Sequence, residues 1–203
     1  MSIIRPFKGI RPRADLASAI AALPYDVYNS EEAREIVAAE PKSFLQIDRA
    51  ETLLPKGTNP YGEAVYKTAS ETLNRMIDEG SFLQDKEPCY YLYALTMNGR
   101  TQTGLVGCAS IDDYCNNVIL KHENTLEAKE QDRIRHIDAC SAQTGPIFLA
   151  YRADKKLGEI IKNVRLTPEV YDFTSDDGIR HEVWRIDKMS TIVDILRLWH
   201  TYR

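Results

Sequence analysis

The residues best suited to chemistry fall in one short stretch, where Lys121, His122, Glu123, Asn124, Thr125, Lys129, Asp132 and Arg133 follow one another closely. The surrounding pattern places this stretch between a strand ending at residues 118–120 and the N-terminus of a helix. Unpaired backbone N–H groups at a helix start, together with the helix dipole, make an anion site. Asn124 or Thr125 can cap that helix, and the Thr125 hydroxyl can instead hydrogen-bond a phosphate oxygen. Lys129 and Arg133, one turn apart, share a face with Thr125. Lys121 and His122 add donors on the approach side. Glu123 can hold Mg²⁺ or take a proton from an attacking hydroxyl. A loop of this make-up can bind phosphate and position a nucleophile without a glycine-rich loop. The same residues also read as a solvated helix face, because four Lys/Arg (121, 129, 133, 135) are balanced there by four acids (123, 127, 130, 132). Such mixed charges form weak ion pairs, and His122 is then an ordinary polar surface residue.

A second candidate is Asp26 in Pro24-Tyr25-Asp26-Val27. A short acid after a rigid proline can serve as a base or metal ligand, or it can cap a turn through its own side chain. His181 and Trp184 sit three apart on one strand and so face opposite sides; Trp184 reads as core and His181 stays open. Tyr90, Tyr91 and Tyr93 could stack a base, but strand propensity explains them as well. Neither a G-x-G-x-x-G nor a G-x-x-x-x-G-K-[ST] pattern occurs, so the standard dinucleotide and P-loop readings fail. The cysteines at 89, 108, 115 and 140 form no C-x-x-C pair. That spacing argues against zinc and reads as buried reduced thiols in a cytoplasmic protein.

The elements that must position these residues alternate between helices and hairpins. The Ala-rich stretch 15–23 reads as a helix ending at Pro24, with 24–27 extended. Ser30 reads as the cap of a second helix with Glu31 and Glu32 in its first turn. Residues 44–47 alternate like a short strand, and 49–59 read as a loop. Asn59 and Pro60 open a third helix carrying Val65, Ala69, Leu73, Met76 and Ile77 on one stripe and stopped by Gly80. Asn98-Gly99 between residues 90–97 and 100–109 is a strong hairpin signal. A helix at 126–140, a buried strand at 146–151 and a helix at 155–163 follow. The chain closes with a hairpin at 169–174 and 180–186 and a helix capped by Ser190. That last helix carries Ile192, Ile195, Leu196 and Trp199, an apolar stripe expected to seek a partner or a homodimer.

Helices interleaved with antiparallel hairpins define an α+β chain with a mixed, mainly antiparallel sheet. A single domain over 1–203 is expected, divisible into a helical part (1–85) and a hairpin-rich part (86–203). The chain has 203 residues, 43% hydrophobic and 28% charged, which excludes wholesale disorder and a disulfide-dense miniprotein. A net charge of −4 without a basic stripe argues against direct DNA binding. No apolar run approaches the roughly 18 residues needed to span a membrane, and the N-terminus lacks signal-peptide character, so a cytoplasmic location is expected.

Several of these pieces occur together in a known family. Ile4-Arg5-Pro6-Phe7-Lys8-Gly9-Ile10-Arg11-Pro12 and Pro24-Tyr25-Asp26-Val27 resemble the opening of the domain-of-unknown-function 1015 family. His122-Glu123-x-Thr125 with Lys129 and Asp132-Arg133 resembles its central motif, and Pro146-Ile147-Phe148 and His181-x-x-Trp184 follow in the expected order. The family is often labelled SpoOJ/ParA/ParB/RepB-like and is similar to the ParB–sulfiredoxin superfamily, which includes free serine kinases using ADP or ATP. The resemblance implies a kinase-like phosphotransferase acting on a small, serine-like molecule with ADP or ATP and Mg²⁺. Lys121, His122, Thr125, Lys129 and Arg133 would then hold phosphate, and Glu123 or Asp26 would act as base or metal ligand. A non-catalytic scaffold and a ParB-like nucleotide-binding module of DNA partitioning are the alternatives. Family members are longer and carry an A-D-G-H-H-R loop, whereas no G-H-H-R occurs here. The chain is therefore expected to match the family's N-terminal half, either as a fragment or truncated relative or with a separate polypeptide completing its site.

Overall fold

The computed structural model describes residues 3–121 and 126–201. In chain order the first elements are β1 (Ile4–Arg5), β2 (Ile10–Pro12), α1 (Ala17–Ile20), α2 (Ser30–Ala39), α3 (Leu45–Asp48), α4 (Glu63–Asp78) and β3 (Phe82–Gln84). Then come β4 (Tyr90–Met97), β5 (Arg100–Val106), β6 (Cys108–Ala109), α5 (Ile111–Cys115), α6 (Glu127–Cys140), α7 (Lys155–Val164), β7 (Tyr171–Thr174), β8 (Arg180–Ile186) and α8 (Met189–Thr201). The fold is α+β. Two compact units share the chain: a sheet unit from the described parts of Met1–Ala14, Gln84–Glu123 and Ala150–Arg203, and a helical unit from those of Asp15–Leu83 and Asn124–Leu149. The units are interleaved, not divided at one point near residue 85, because α6 returns to the helices from later in the sequence.

In the sheet unit four antiparallel strands run in the order β5-β4-β8-β7, and β1 pairs with β6. The β4–β5 turn places Asn98 at φ 51° and Gly99 at φ 75°, the two left-handed residues that a type I′ hairpin requires. Period-two alternation then sends Glu182, Trp184 and Ile186 to one face of β8. Tyr90, Leu92, Ala94, Trp184 and Ile186 pack with Leu157 of α7 and Ile192, Ile195 and Trp199 of α8. Each large side chain buried there contributes about 1.5–3 kcal/mol. The α8 stripe is thus covered within its own unit.

The helical unit is organised by α4, whose Val65, Ala69, Leu73 and Met76 pack with Ile20, Ile47, Ala50, Phe82 and Cys140. Local chemistry moves several boundaries from their expected places. Asn29, not Ser30, caps α2: its side chain accepts from the Glu31 and Glu32 amides, and Glu32 answers in a capping box. Helix α4 starts at Glu63, because Asn59 first closes a turn, its Oδ1 accepting from the Tyr61 amide at 3.0 Å and its carbonyl from Gly62 at 3.0 Å. The expected strand at 44–47 is the short helix α3 instead. Leu45, Gln46 and Ile47 are all buried, a run that no one-sided strand produces. Ala50–Leu53, expected as loop, forms a 3-10 turn. Residues 24–27 are not extended but close a turn, with the Val27 amide donating to the Pro24 carbonyl. Helix α1 stops at Ile20. Neither 118–120 nor 146–151 forms a strand, and the latter is exposed, with Phe148 at 77%. Cys89 and Cys140 are buried as expected, whereas Cys108 and Cys115 are exposed; all four are free thiols. Among the described residues no helix is long and apolar enough to cross a membrane.

Candidate functional site

A cavity of about 320 Å³ opens in the helical unit, at the small end of the range that ligand pockets occupy. Its walls come from four places in the sequence. The turn before α2 supplies Tyr25 and Tyr28, and the first residue of α2 is Ser30. The end of α3 and the turn after it supply Asp48, Arg49 and Glu51, the approach to α4 gives Tyr61, and the first turn of α4 gives Tyr66. Helix α6 contributes Asp132, Arg133 and His136, which helical spacing places on one face.

Two ion pairs divide the cavity. Arg49 pairs with buried Glu51 at 2.9 Å and donates to Ser30 Oγ at 2.9 Å and to the Tyr25 carbonyl at 3.3 Å. Ser30 in turn donates to Glu51 Oε1 at 3.2 Å, so this group is largely satisfied within itself. Arg133 is held differently. Its Nε and Nη2 donate to Asp132 Oδ2 at 3.1 and 2.8 Å, and its guanidinium lies 4.1 Å from the centre of the Tyr25 ring. Tyr66 donates to Asp132 Oδ1 at 2.9 Å, and burial together with that bond pushes the phenol up to about 12. The remaining nitrogen, Nη1, lies 3.8 Å from Asp48 Oδ1.

Asp48 is the under-satisfied member of the set. Its side chain is 14% exposed, and among the described residues its buried Oδ1 accepts no hydrogen bond. Burial raises its pKa and the Asp132 charge adds to that, while His136, Arg133 and a Thr144 hydrogen bond only partly oppose the rise. His136 is buried, with Nε2 at 3.0 Å from the Ile47 carbonyl, so Nε2 carries the proton. Nδ1 then faces Thr144 Oγ1 at 3.4 Å.

Of the residues singled out in the sequence, Arg133 lines this cavity. Lys129 is on the same helix but exposed and outside the lining. Asp26 is exposed, and its neighbours Tyr25 and Tyr28 line the cavity in its place. Lys121 belongs to the sheet unit, where its Nζ lies 4.8 Å from the Tyr114 ring centre. His122, Glu123, Asn124 and Thr125 lie outside the described residues. Asp132, in the same charged stretch as Arg133, lines the cavity too, whereas sequence reasoning passed over Asp48, Tyr66 and His136 as site residues. The Asp132–His136 spacing of four beside Arg133 was the available signal. Nothing in the local pattern marked Asp48, which directly follows the run 44–47 that alternates like a strand.

Among the buried carboxylates of the sheet unit, Asp85 is held by the most donors. Its oxygens accept from Arg11 at 3.0 Å, from Arg185 at 3.0 Å, from the Tyr91 hydroxyl and from the Cys89 thiol at 3.6 Å. Burial alone would raise its pKa, but the bonds from Arg11, Tyr91 and Arg185 outweigh it and hold the carboxyl below its usual range. His181 also finds a packing role, between Tyr93 Oη at 2.7 Å and Ser175 Oγ at 2.9 Å and stacked on Phe173, and burial lowers its pKa. Tyr90 and Tyr91 are buried as packing groups.

Fold and cavity together define an α+β protein with a polar, arginine-bearing cavity inside its helical unit. The chain belongs to the family described as protein of unknown function (DUF1015), whose profile matches residues 4–200. Comparisons with curated proteins and with solved structures give no match. Among the described residues no group of three or more His, Cys, Asp or Glu is placed to hold a metal ion.

Proposed function

We propose that the chain binds a phosphorylated small molecule, ADP or ATP in the first instance, at the cavity of its helical unit, and that this binding serves kinase-like transfer to a small hydroxylated substrate. The observation that carries the reading is Arg133, a half-buried guanidinium pre-set by Asp132 and Tyr25 on the wall of a ligand-sized cavity. A fork held in one orientation loses little freedom when it pairs with phosphate. Phosphoryl transfer depends chiefly on positioning and charge neutralisation, which is what such a group supplies. The cavity volume suits the phosphate end of a nucleotide or a small polar acceptor. Thr125, whose stretch belongs to the helical unit, stays in the proposal as an added donor. Exposed Asp26 and Lys129 do not.

Calorimetric titration with ADP and with ATP, each with and without Mg²⁺, tests the reading. Saturable binding is expected in the natural chain and in Lys129→Ala, and its loss in Arg133→Ala. Equal loss in both variants would move the phosphate site to the open face of α6. Absence of binding at millimolar nucleotide would leave the chain as a non-catalytic scaffold.

A further inference from the structure

Arg133 stands between two carboxylates that hold it unequally. Asp132 takes two of its nitrogens and is itself steadied by Tyr66. Asp48 has the distant Nη1, at 3.8 Å, beside the influence of His136 and Thr144, and its Oδ1 accepts no hydrogen bond among the described residues. A phosphate entering the cavity would find Nη1 as the donor that Asp132 does not already occupy. Taking it would weaken the Arg133 share of the charge opposing Asp48, leaving His136 and Thr144, and bring a second anion beside it. Two anions cannot share one poorly solvated cation at no cost, and a proton on the weaker-held one relieves the repulsion.

We infer that Arg133 is shared between Asp48 and the bound anion, so that phosphate binding in this cavity is accompanied by uptake of one proton at Asp48. The inference rests on the cavity being the phosphate site proposed above. The other groups facing Asp48 have partners of their own. Asp132 is tied by Arg133 and Tyr66, and Glu51 is committed to Arg49 and Ser30. Burial, with the Asp48 charge behind it, raises the Cys140 thiol to about 11, so it is already protonated. His136 is the rival acceptor, through Nδ1 beside Thr144. Asp48 itself starts from a raised pKa, so little further stabilisation of its neutral form is needed.

The test is calorimetry of ADP binding in buffers of differing ionisation enthalpy, on the natural chain and on Asp48→Asn. The nucleotide's own titration is common to both proteins, so the difference between them isolates Asp48. The natural chain is expected to take up close to one proton more than the variant. Its affinity should fall with rising pH by up to about tenfold per unit more steeply than the variant's. Asp48→Asn should also bind ADP several-fold tighter at neutral pH, having lost the competing charge. Equal uptake in the two proteins places the proton on His136 or the ligand and overturns the inference, while the binding site stands. A failure of ADP to bind either protein overturns the site and the inference together. Should Asp48→Asn not fold, the pH series of the natural chain decides: an affinity independent of pH above the nucleotide's own titration range rejects the inference.

Discussion

Asp85 in the sheet unit and the largely buried Asp48 in the helical unit meet opposite surroundings. Asp85 in the sheet unit is met by two arginines, a phenol and a thiol. Asp48 in the helical unit meets one arginine at a distance and keeps an oxygen with no hydrogen bond among the described residues. Burial raises the pKa of both, and only at Asp85 do the donors reverse it. A saturated carboxylate has no capacity left for a ligand and acts as a fastener, tying Arg11 in the N-terminal segment to Arg185 on β8. An under-satisfied one on a cavity wall stays responsive to whatever enters. Burial by itself therefore does not mark a working residue; burial with unmet bonding capacity next to open space does.

The largest effect is expected where the fastener is cut. Asp85→Ala leaves Arg11 and Arg185 facing each other without their shared counterion, and removing one partner of a buried pair costs about 3–5 kcal/mol. Denaturant unfolding should show a midpoint well below that of the natural chain. A loss under about 1 kcal/mol would mean the two arginines reach solvent easily and the contrast with Asp48 is false. Gly9→Ala sharpens the same side of the comparison less violently. A β-carbon there collides with the Tyr91 hydroxyl, the group that donates to Asp85. Overpacking of this kind costs about 1–3 kcal/mol. Pairing the substitution with Tyr91→Phe, which removes that oxygen, should recover part of the loss; no recovery would place the strain elsewhere.

How far the sequence disclosed this arrangement depends on the range of the interaction. The Asn98-Gly99 hairpin, the apolar stripe of α4, the extent of α6 and the β7–β8 hairpin were all legible, because turn chemistry and periodicity are written into neighbouring residues. The residues at 44–47 and 146–151 were not. Short apolar runs read alike as strand, buried helix or exposed loop until a partner is known. The site was legible in part. Arg133 emerged from the charged stretch, but Asp48 and Tyr66 join it only through packing between α3, α4 and α6, and no spacing rule reaches so far along the chain. The Arg11–Asp85–Arg185 cluster escaped notice for the same reason, although Gly9 and Arg11 stood in a stretch already singled out.

The smallest effect, and the most discriminating, concerns how the two aspartates answer to pH. Asp85 has a lowered native pKa, so its contribution to stability is present above the unfolded value, near 3.9, and is lost as pH falls below it. Asp48 has a raised native pKa, so the sign reverses. Its contribution is fully present below the unfolded value and is lost as pH rises through the native one, after which it stays constant. Asp48→Asn removes that loss without changing the size of the side chain. The variant should therefore gain on the natural chain as pH rises above the unfolded value and then hold a constant lead. Unfolding midpoints of both proteins across that range measure it. If the natural chain gains on the variant instead, Asp48 is held as a stable anion by contacts stronger than its 3.8 Å approach to Arg133. It would then be a second fastener, and the distinction between the two units would disappear.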